Sequence, residues 1–314
     1  MNREELLKAI DAKYHAMGQN PDVHLSGLLH AEPMTYWDFA NVDALLSLQI
    51  QRTQLPDEMV FIMYHQINEL LFKMILWEID QISFAKSIEP EKFVMHLSRV
   101  SRYFDMLSSS FDIMGEGMEL EQYMKFRDTL TPASGFQSAQ YRKIEIASTE
   151  LINLIDFRFR ETIDRDTPYE HAFEHMYWQA AGKDYTTSKK NMLLFNFEKR
   201  YKKELINFMQ DYNTVNIWTT FKKLPETYQK NIDLLNAMRH YDHTVNIDWV
   251  MHHYHAAGKY LDSGNQKVAA TGGSDWHKYM HPKYQRRIFF PDLWNADELK
   301  NWGITNLEAC TVLK

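Results

Sequence analysis

His65 is the residue with the clearest chemical potential in the first third of the chain. It stands in an apolar run, DEMVFIMYHQINELLFK, over residues 57–73. Helical spacing puts Phe61 one turn before it on the same face. A neutral imidazole among apolar side chains offers a single directed hydrogen bond. It is either a core histidine satisfied by a neighbour or the polar contact of an apolar binding site.

A second group of candidate residues surrounds the segment LTPASGFQSAQYR, residues 130–142. Tyr123 and Arg127 have i, i+4 spacing, so on a helix they share a face. Arginine holds a carboxylate through two parallel hydrogen bonds, although an ordinary surface arginine fits the pattern equally well. Ser134 can cap the helix that follows, and Gly135 lets a ligand approach the backbone. A helix N-terminus also favours negative charge, so the segment suits an anionic group.

Three histidines fall within WVMHHYH, residues 249–255. If this stretch is helical, His252 and His255 share a face and His253 points about 100° away, so the three side chains do not readily bind one ion. One of them could serve as the axial ligand of a haem. A non-haem metal site built on the cluster is a second interpretation. The spacing does not choose among the three histidines.

The loop AATGGSDW, residues 269–276, is the fourth candidate. Thr271 offers a hydroxyl, and the flexible backbone N–H groups beside it can surround an anion. A simple connector is the more common role of a Gly-Gly loop. Motifs for several other reactions are missing: GxGxxG after a strand, the P-loop, the GxSxG elbow, HExxH and a CxxC pair. Hydride transfer, nucleotide hydrolysis and serine hydrolysis therefore lose support.

The composition indicates a soluble globular protein that lacks a basic surface for nucleic acid. Of the 314 residues, 45% are hydrophobic and 25% are charged, and the net charge is −7. The most basic segment, residues 189–203, has helical apolar spacing and is interpreted as a solvated helix face. The sequence has one cysteine, Cys310, and shows neither a signal peptide nor a membrane-spanning apolar run. We therefore expect a cytoplasmic protein with no nucleic-acid or membrane partner.

The elements that must position these residues are predicted to be helices. Tracts between the 9 prolines carry helix formers with apolar side chains three and four apart, and strand-like alternation is nearly absent. We predict an all-α fold with a single domain, residues 1–314, that includes an N-terminal arm, residues 1–50. The predicted helices cover 57–85, 91–115, 119–130 and 134–157, the last with a Ser134–Gln137 capping box, with further helices within 168–181, 187–212 and 225–262 and a loop over 263–276.

Six stretches of the chain carry a resemblance to a known family. They are MTYWDFANVDALLSLQ (34–49), PDEMVFIMYHQINELLFK (56–73), QYMKFRDTLTPASGFQSAQYRKIE (122–145), the spacing from Trp249 to His253, ATGG (270–273) and FFPDLW (289–294). Together they resemble the tryptophan 2,3-dioxygenase family, occur in the order of the family pattern and span most of the chain. The third stretch is the longest and the most specific. The region from 157 to 245 resembles the family much less.

The resemblance implies an all-α haem protein that is usually a homotetramer. Such a protein inserts both atoms of O2 into the indole ring of L-tryptophan and yields N-formylkynurenine, the first step of tryptophan catabolism by the kynurenine route. It would carry one haem b per subunit, with ferrous iron in the active form. Within the family, the haem carries the oxygen chemistry and the protein orients the substrate above it.

The resemblance also implies roles on the substrate side. His65 would act in catalysis by forming a hydrogen bond with the indole N–H, and Phe61 would pack beside the indole. Tyr123 would line the pocket. Arg127 would clamp the substrate carboxylate. Thr271 would contact the substrate ammonium and carboxylate groups.

On the cofactor side, the resemblance assigns His253 as the proximal iron ligand, because it lies four residues after Trp249 as in the family pattern. Ser134 and Gly135 would border the haem and the substrate. Three residues of the arm would cover the pocket of a neighbouring subunit and contact its substrate. These are Tyr36, Phe39 and Ala40.

Several positions depart from the family pattern. Phe39 stands where a tyrosine is expected, and Ala40 where a larger apolar residue is expected. After ATGG the chain has Asp275 and Trp276, which add charge and bulk near the polar end of the substrate. These departures motivate the alternative of a haem-dependent monooxygenase or hydroxylase that acts on a related aromatic amino acid. A haem-binding helical protein without catalysis is a further alternative.

Overall fold

The computed structural model of the protein describes residues 1–127, 137–261 and 280–304. The chain divides into two compact units, Met1–Ile50 and Gln51–Lys314. Within the described ranges nearly all regular structure is helical, so the predicted all-α fold is confirmed. None of the helices in these ranges combines the length and the apolar character that crossing a membrane requires.

The first unit consists of short helices that are stabilised mainly at their ends. Asn2 and Glu5 form a capping box at the start of the first helix. Asn20 and Thr35 accept hydrogen bonds from backbone N–H groups at the starts of the second and third. The helices are α1 (Arg3–Ala16), α2 (Pro21–Leu28), α3 (Tyr36–Ala40) and α4 (Val42–Leu46). Pro21 is the one buried residue of this unit, so local capping and not a core holds these helices.

The second unit contains the long helices and the hydrophobic core. Its α-helices are α5 (Pro56–Ser83), α6 (Pro90–Ser109), α7 (Phe111–Gly115), α8 (Leu120–Arg127), α9 (Ala139–Ser148), α10 (Tyr169–Phe173), α11 (Met192–Tyr212), α12 (Ile217–Lys222), α13 (Glu226–Gln229), α14 (Ile232–His243), α15 (Trp249–Leu261), α16 (Pro282–Gln285) and α17 (Ala296–Lys300). A π-helical turn, Thr244–Asp248, joins α14 to α15. Short 3₁₀ turns lie at Leu151–Leu154, Phe157–Phe159, Tyr177–Ala181 and Pro291–Leu293. Strands β1 (Lys183–Asp184) and β2 (Lys189–Lys190) pair antiparallel, with Lys183 opposite Lys190.

The core lies where α5, α6, α9 and α14 meet. Helix α5 packs against α6 and α9, α6 packs against α14, and α9 packs against α11. The inner face of α6 is formed by Phe93, Leu97, Val100, Phe104 and Leu107, all fully buried. Their spacing of three and four residues makes one apolar stripe along the helix. Burial of this stripe fixes the rotation of α6 and leaves its Lys, Arg, Asp and Glu side chains exposed.

The sequence predicted which segments are helical more accurately than it predicted where each helix begins and ends. Helix α5 matches the prediction over 57–85 within two residues at either end. The prediction over 91–115 was wrong in one respect, because the helix breaks at Ser110 and continues as the separate α7. Helices were also predicted within 225–262, and α13, α14, the π turn and α15 lie in that range. Asn231 separates α13 from α14, since its side chain caps the start of α14.

The helix predicted over 134–157 is shorter than expected at both ends. It begins at Ala139, where the Ser138 side chain accepts a hydrogen bond from the Tyr141 N–H. The proposed Ser134 cap lies outside the described residues. The helix ends at Ser148 because Thr149 adopts an extended conformation with φ −146°. The hydroxyl of Thr149 donates to the carbonyl of Phe289, which holds the chain away from a helical path.

The basic segment at 189–203 is not simply a solvated helix face. Lys190 belongs to β2, and its Nζ lies 2.8 Å from Glu174 and 2.6 Å from Glu198. Lys183 and Lys202 also reach Glu174, at 2.9 Å and 2.6 Å. The interpretation was wrong for Lys190 and Lys202, because Glu174, which lies outside the segment, pairs with both and Glu198 also pairs with Lys190. The segment nevertheless provides no unpaired basic patch at these positions.

Three lysines therefore surround the carboxylate of Glu174. Burial alone would raise the pKa of Glu174, but hydrogen bonds from Lys190, Lys202 and Lys183 outweigh it and lower the pKa to about 2. The ordinary value is 4.5. A carboxyl group whose pKa is lower in the folded state stabilises the fold above its ordinary pKa. This contribution is lost as the pH falls from 4.5 towards 2.

Glu174→Gln is therefore expected to reduce the free energy of unfolding at neutral pH. The difference from the unaltered protein should shrink as the pH is lowered below 4.5, because acid removes the same charge. Urea unfolding at a series of pH values measures this difference. Glu121→Gln, which removes an exposed partner of Lys125, is the control and should change little. A Glu174→Gln difference that stays constant with pH would contradict the role of these ion pairs.

Candidate functional site

The site begins on one face of α5, where the rings of Phe61 and His65 lie 4.1 Å apart. The Nδ1 of His65 lies 2.7 Å from the carbonyl oxygen of Phe61. A carbonyl oxygen only accepts, so Nδ1 carries the proton and donates it. Burial lowers the pKa of His65, although this hydrogen bond and the charge of Glu69 oppose the shift. The ring is therefore neutral at pH 7, and its Nε2 is a hydrogen-bond acceptor.

His253 on α15 is held by aromatic rings and not by hydrogen bonds. Its ring stacks on Phe111 with centroids 5.2 Å apart and planes at 12°, and Trp249 lies 5.9 Å away. Burial, together with a smaller contribution from the charge of His65, lowers the pKa of His253 to about 4. Among the described residues neither ring nitrogen has a hydrogen-bond partner. A neutral imidazole with a free lone pair is the form of histidine that binds a metal ion.

His65 and His253 come from different helices, yet they lie close enough for a positive charge on His65 to lower the pKa of His253. The His65 side chain is exposed to solvent, although enough protein surrounds it to lower its pKa. We call the neighbourhood of these two rings, together with Phe61, Phe111 and Tyr123, the aromatic recess. It presents two neutral imidazoles, one with a bonded Nδ1 and one with no hydrogen bond among the described residues.

The wall beside these histidines is aromatic and apolar. Tyr123 on α8 lies 6.2 Å from Phe61 and 5.6 Å from Phe126, measured between ring centroids. The cluster of buried residues here comprises Tyr64, Phe111, Met114, Met118 and Phe126, with Phe61, Tyr123 and Trp249 packed against it. Such a lining with few polar groups is typical of a site for a small aromatic molecule.

Hydrogen bonds between α5 and α8 position Tyr123. The carboxylate of Asp57 accepts a hydrogen bond of 2.6 Å from the backbone N–H of Glu119. In return, the backbone N–H of Asp57 donates to the side chain of Gln122 at 3.2 Å. Arg127 is the last residue of α8, and the structure describes its backbone only. Its helix is thus anchored to the helix that carries His65.

The two other histidines of WVMHHYH have different surroundings. The Nδ1 of His252 lies 2.8 Å from the carbonyl oxygen of Asp248, so this nitrogen is already bonded. His255 is exposed. Of the three histidines, His253 is the one that stacks against the aromatic cluster. The sequence left this choice open.

The remaining predicted site residues belong to the first unit or lie outside the described residues. Tyr36, Phe39 and Ala40 form part of α3 in the first unit, where they are exposed, and their role stays a prediction. Ser134, Gly135 and Thr271 lie outside the described residues. Their predicted contacts with cofactor and substrate therefore stay predictions as well.

Phe111 is the site residue that the sequence did not reveal. It follows the break at Ser110, so it opens a new helix and leaves the apolar stripe of α6. One sequence signal was present, because Phe111 and Met114 have the three-residue spacing of a short apolar face. Nothing in that spacing indicated that the ring would stack on His253.

A helical fold with two neutral histidines at an aromatic recess defines a small-molecule site suited to a metal-containing cofactor. Comparison with known proteins identifies the family. The family model described as tryptophan 2,3-dioxygenase matches residues 25–244, and the chain belongs to this family. His253 and the segments after it lie beyond the matched range.

Individual relatives agree with this assignment. The chain is 29% identical over 300 residues to the tryptophan 2,3-dioxygenase of Bacillus thuringiensis subsp. konkukian, which covers 89% of this chain and 99% of that protein. The Bacillus anthracis tryptophan 2,3-dioxygenase gives the same identity and coverage. The protein of that name from Ruegeria sp. (strain TM1040) is 41% identical over 128 residues, covering 40% of this chain and 45% of the relative.

The electrostatic coupling of the two histidines is testable in the protein without cofactor. His65→Gln removes the positive charge that opposes protonation of His253, so the pKa of His253 should rise above its value of about 4. The nitrogen shifts of the His253 ring, followed by NMR over a pH series, measure this pKa. Lys73→Gln, which removes an exposed charge elsewhere on α5, should leave it unchanged. An unaltered His253 pKa in His65→Gln would show that the two rings do not share one recess.

Proposed function

We propose that this protein is a haem-dependent dioxygenase that inserts both atoms of O2 into the indole ring of L-tryptophan and forms N-formylkynurenine. Family membership supports the reaction class. The observation that carries the proposal is the pair of neutral imidazoles in one aromatic recess, which offers a metal ligand and a hydrogen-bond acceptor. In this proposal the reaction is the first step of tryptophan catabolism by the kynurenine route.

The residues present fit a haem. His253 is neutral, stacks on Phe111 and lies at a tilt against Trp249, and it is free of hydrogen bonds among the described residues, so its lone pair is available to iron. Phe111 and Trp249 fix the plane of the imidazole without competing for that lone pair. His253 would hold the iron of one haem b per subunit, and Ser134 and Gly135 would border that haem. When bound, the ferrous haem supplies the binding and activation of O2.

His65 orients the substrate. Its Nδ1 proton is donated to the carbonyl of Phe61, so Nε2 is left to accept the indole N–H of tryptophan. The lowered pKa keeps the ring neutral and preserves this acceptor at physiological pH. Phe61 and Tyr123 pack against the flat indole and exclude water from its surface. A single hydrogen bond in an apolar slot thus fixes the orientation of the ring.

The amino-acid end of the substrate requires charged partners. Arg127 ends α8 on the same helix face as Tyr123, and a guanidinium there pairs with the substrate carboxylate. Thr271 contacts the ammonium and carboxylate groups. In this arrangement the aromatic slot and the charged end lie on either side of Tyr123. The substrate is then held at two points, and its rotation is restricted.

We also propose that the first unit completes the pocket of a neighbouring subunit in a homotetramer. Tyr36 and Phe39 are 77% and 78% exposed, which is unfavourable for aromatic side chains in an isolated subunit. Together with Ala40 they lie on one short helix. Covering the substrate with these side chains would bury them and remove water from the site.

The alternative of a haem-dependent hydroxylase for a related aromatic amino acid has less support. A phenylalanine ring has no hydrogen-bond donor, so the acceptor at Nε2 of His65 would be left unpaired in a desolvated site. An unpaired buried acceptor costs about 1–3 kcal/mol. Recognition of an indole avoids this cost.

Arg127→Leu is expected to weaken binding of L-tryptophan roughly 10- to 100-fold, since a charged hydrogen-bonded contact contributes about 1.5–3 kcal/mol. Anaerobic titration of the haem-containing protein with L-tryptophan measures the affinity. Lys125→Leu removes a cation two residues earlier on the same helix, where it pairs with Glu121. This control should bind normally. Unchanged affinity in Arg127→Leu would remove Arg127 from the proposed site.

His253→Ala is expected to lose the absorbance spectrum of a histidine-ligated haem, because no other histidine of its helix faces the aromatic cluster. His252→Ala and His255→Ala are matched controls from the same helix and should keep the spectrum. Haem titration followed by absorbance distinguishes the three variants. A normal spectrum in His253→Ala would assign the ligand to another residue.

A further inference from the structure

The helix that carries His253 contains an irregularity directly before the site. From Ile232 to Leu261 the chain is helical throughout, but Thr244–Asp248 form a π turn. In a π turn the hydrogen bonds span five residues instead of four, so the turn accommodates one extra residue. Each position after the turn is therefore set back by about 100° relative to an uninterrupted α-helix.

The apolar face of this helix reveals the change of register. Before the turn the buried face runs through Leu234, Met238, Tyr241 and Val245, with spacings of four, three and four residues. Continued in α-helical geometry, the same face would next carry positions 248, 252 and 255.

The inner face after the turn is displaced by one residue. Trp249 packs 4.7 Å from Tyr141, His253 stacks on Phe111, and Ala256 packs against the aromatic cluster. The inner positions are therefore 249, 253 and 256, each one later than the α-helical continuation. An unbroken helix would have placed His252 and His255 at the site, and Asp248 in the position of Trp249.

We infer that the π turn is a positioning device that makes His253, and not His252, the histidine that faces the cofactor. The inference rests on the proposed function, in which His253 ligates the haem iron. It explains why His253, and not His252 or His255, faces the cofactor. The bonded Nδ1 of His252 and the exposure of His255 are consequences of this register.

The carboxylate of Asp242 fastens the turn. Asp242 is fully buried, and its oxygens accept four N–H groups. The donors are the backbone of Phe289 at 2.8 Å and Phe290 at 3.0 Å, the indole of Trp294 at 2.9 Å and the amide of Asn246 at 2.7 Å. Asp242 thus ties the helix before the turn to a residue inside it and to the segment FFPDLW. The carboxylate therefore holds the turn in place against the rest of the second unit.

A turn that holds one extra residue can lose that residue without rotating the downstream helix. Deletion of Asn246 should convert the π turn into α-helix, with Tyr241 and Val245 unchanged on one side and Trp249 and His253 unchanged on the other. A deletion in the middle of a buried helix normally rotates the downstream face by about 100°. If His253 keeps its position after the deletion, the π turn held the extra residue. If the downstream face rotates, it did not.

The test uses the full chain with haem, and its readouts are absorbance and electron paramagnetic resonance of the ferric protein. Two single deletions within the turn, of Asn246 and of Thr244, give two chances of a folded variant. Either one is expected to keep the signature of a histidine-ligated haem. That signature should disappear when His253→Ala is added and persist when His252→Ala is added. The π turn holds only one extra residue, so deletion of both Asn246 and Thr244 should rotate the downstream helix by about 100°. The signature of a histidine-ligated haem should then be lost.

Loss of the histidine signature in both single deletions, or failure of both to fold, would overturn the inference. Retention of His253 ligation in the double deletion would also overturn it, because register would then not determine the ligand. Failure of the proposed function gives a different result. In that case His253→Ala in the full-length chain keeps its haem spectrum before any deletion is made.

Discussion

The indole ring of Trp249 lies where several helices of the second unit meet. It contacts Tyr141 of α9, Phe72 of α5 and Phe104 of α6, with ring centroids 4.7, 6.2 and 6.1 Å away. It also packs against both the main core and the smaller aromatic cluster. One side chain therefore joins the core to the site. His253 lies one turn further along α15, and its ring contacts Trp249 with centroids 5.9 Å apart, so the packing of Trp249 helps to position the imidazole.

Burial makes both histidines of the recess neutral, and their different surroundings then give them different chemical properties. Desolvation lowers both pKa values, so both rings are neutral. The hydrogen bond to the Phe61 carbonyl then fixes one tautomer of His65, whereas within the described part of the chain His253 has ring contacts only. One ring is directed towards a hydrogen-bond donor, and the other is left available to a metal ion. A hydrogen bond to a backbone carbonyl therefore gives His65 a different role from His253, although both residues are histidines.

Much of the fold could be predicted from the sequence because the long helices bury regular apolar stripes. Helices α5 and α11 follow this rule, and α5 carries Phe61 and His65 at the predicted spacing. The ends of helices depended on contacts that are remote in sequence. Thr149, for example, bonds to Phe289, and this contact stops the helix that was predicted to continue to 157.

The choice of histidine could not be predicted from residue spacing, because it depends on a change of helical register. A spacing argument assumes α-helical geometry, and this assumption fails between Thr244 and Asp248. The turn itself is stabilised by Asp242 through donors from residues 289–294, which no local pattern reveals. Family resemblance supplied His253 where residue spacing did not. The structure adds the physical reason why that position, and not its neighbour, faces the aromatic cluster.

The mass of the reaction product is the decisive test of the proposed function. The haem-containing protein is reduced, supplied with L-tryptophan and ¹⁸O₂, and the product is analysed by mass spectrometry. We expect a product that carries two labelled oxygen atoms, because both atoms of one O2 enter the indole ring. A product with one labelled oxygen would contradict the dioxygenase and establish a hydroxylase. Absence of any product from tryptophan, with a normal haem spectrum, would contradict the proposed substrate.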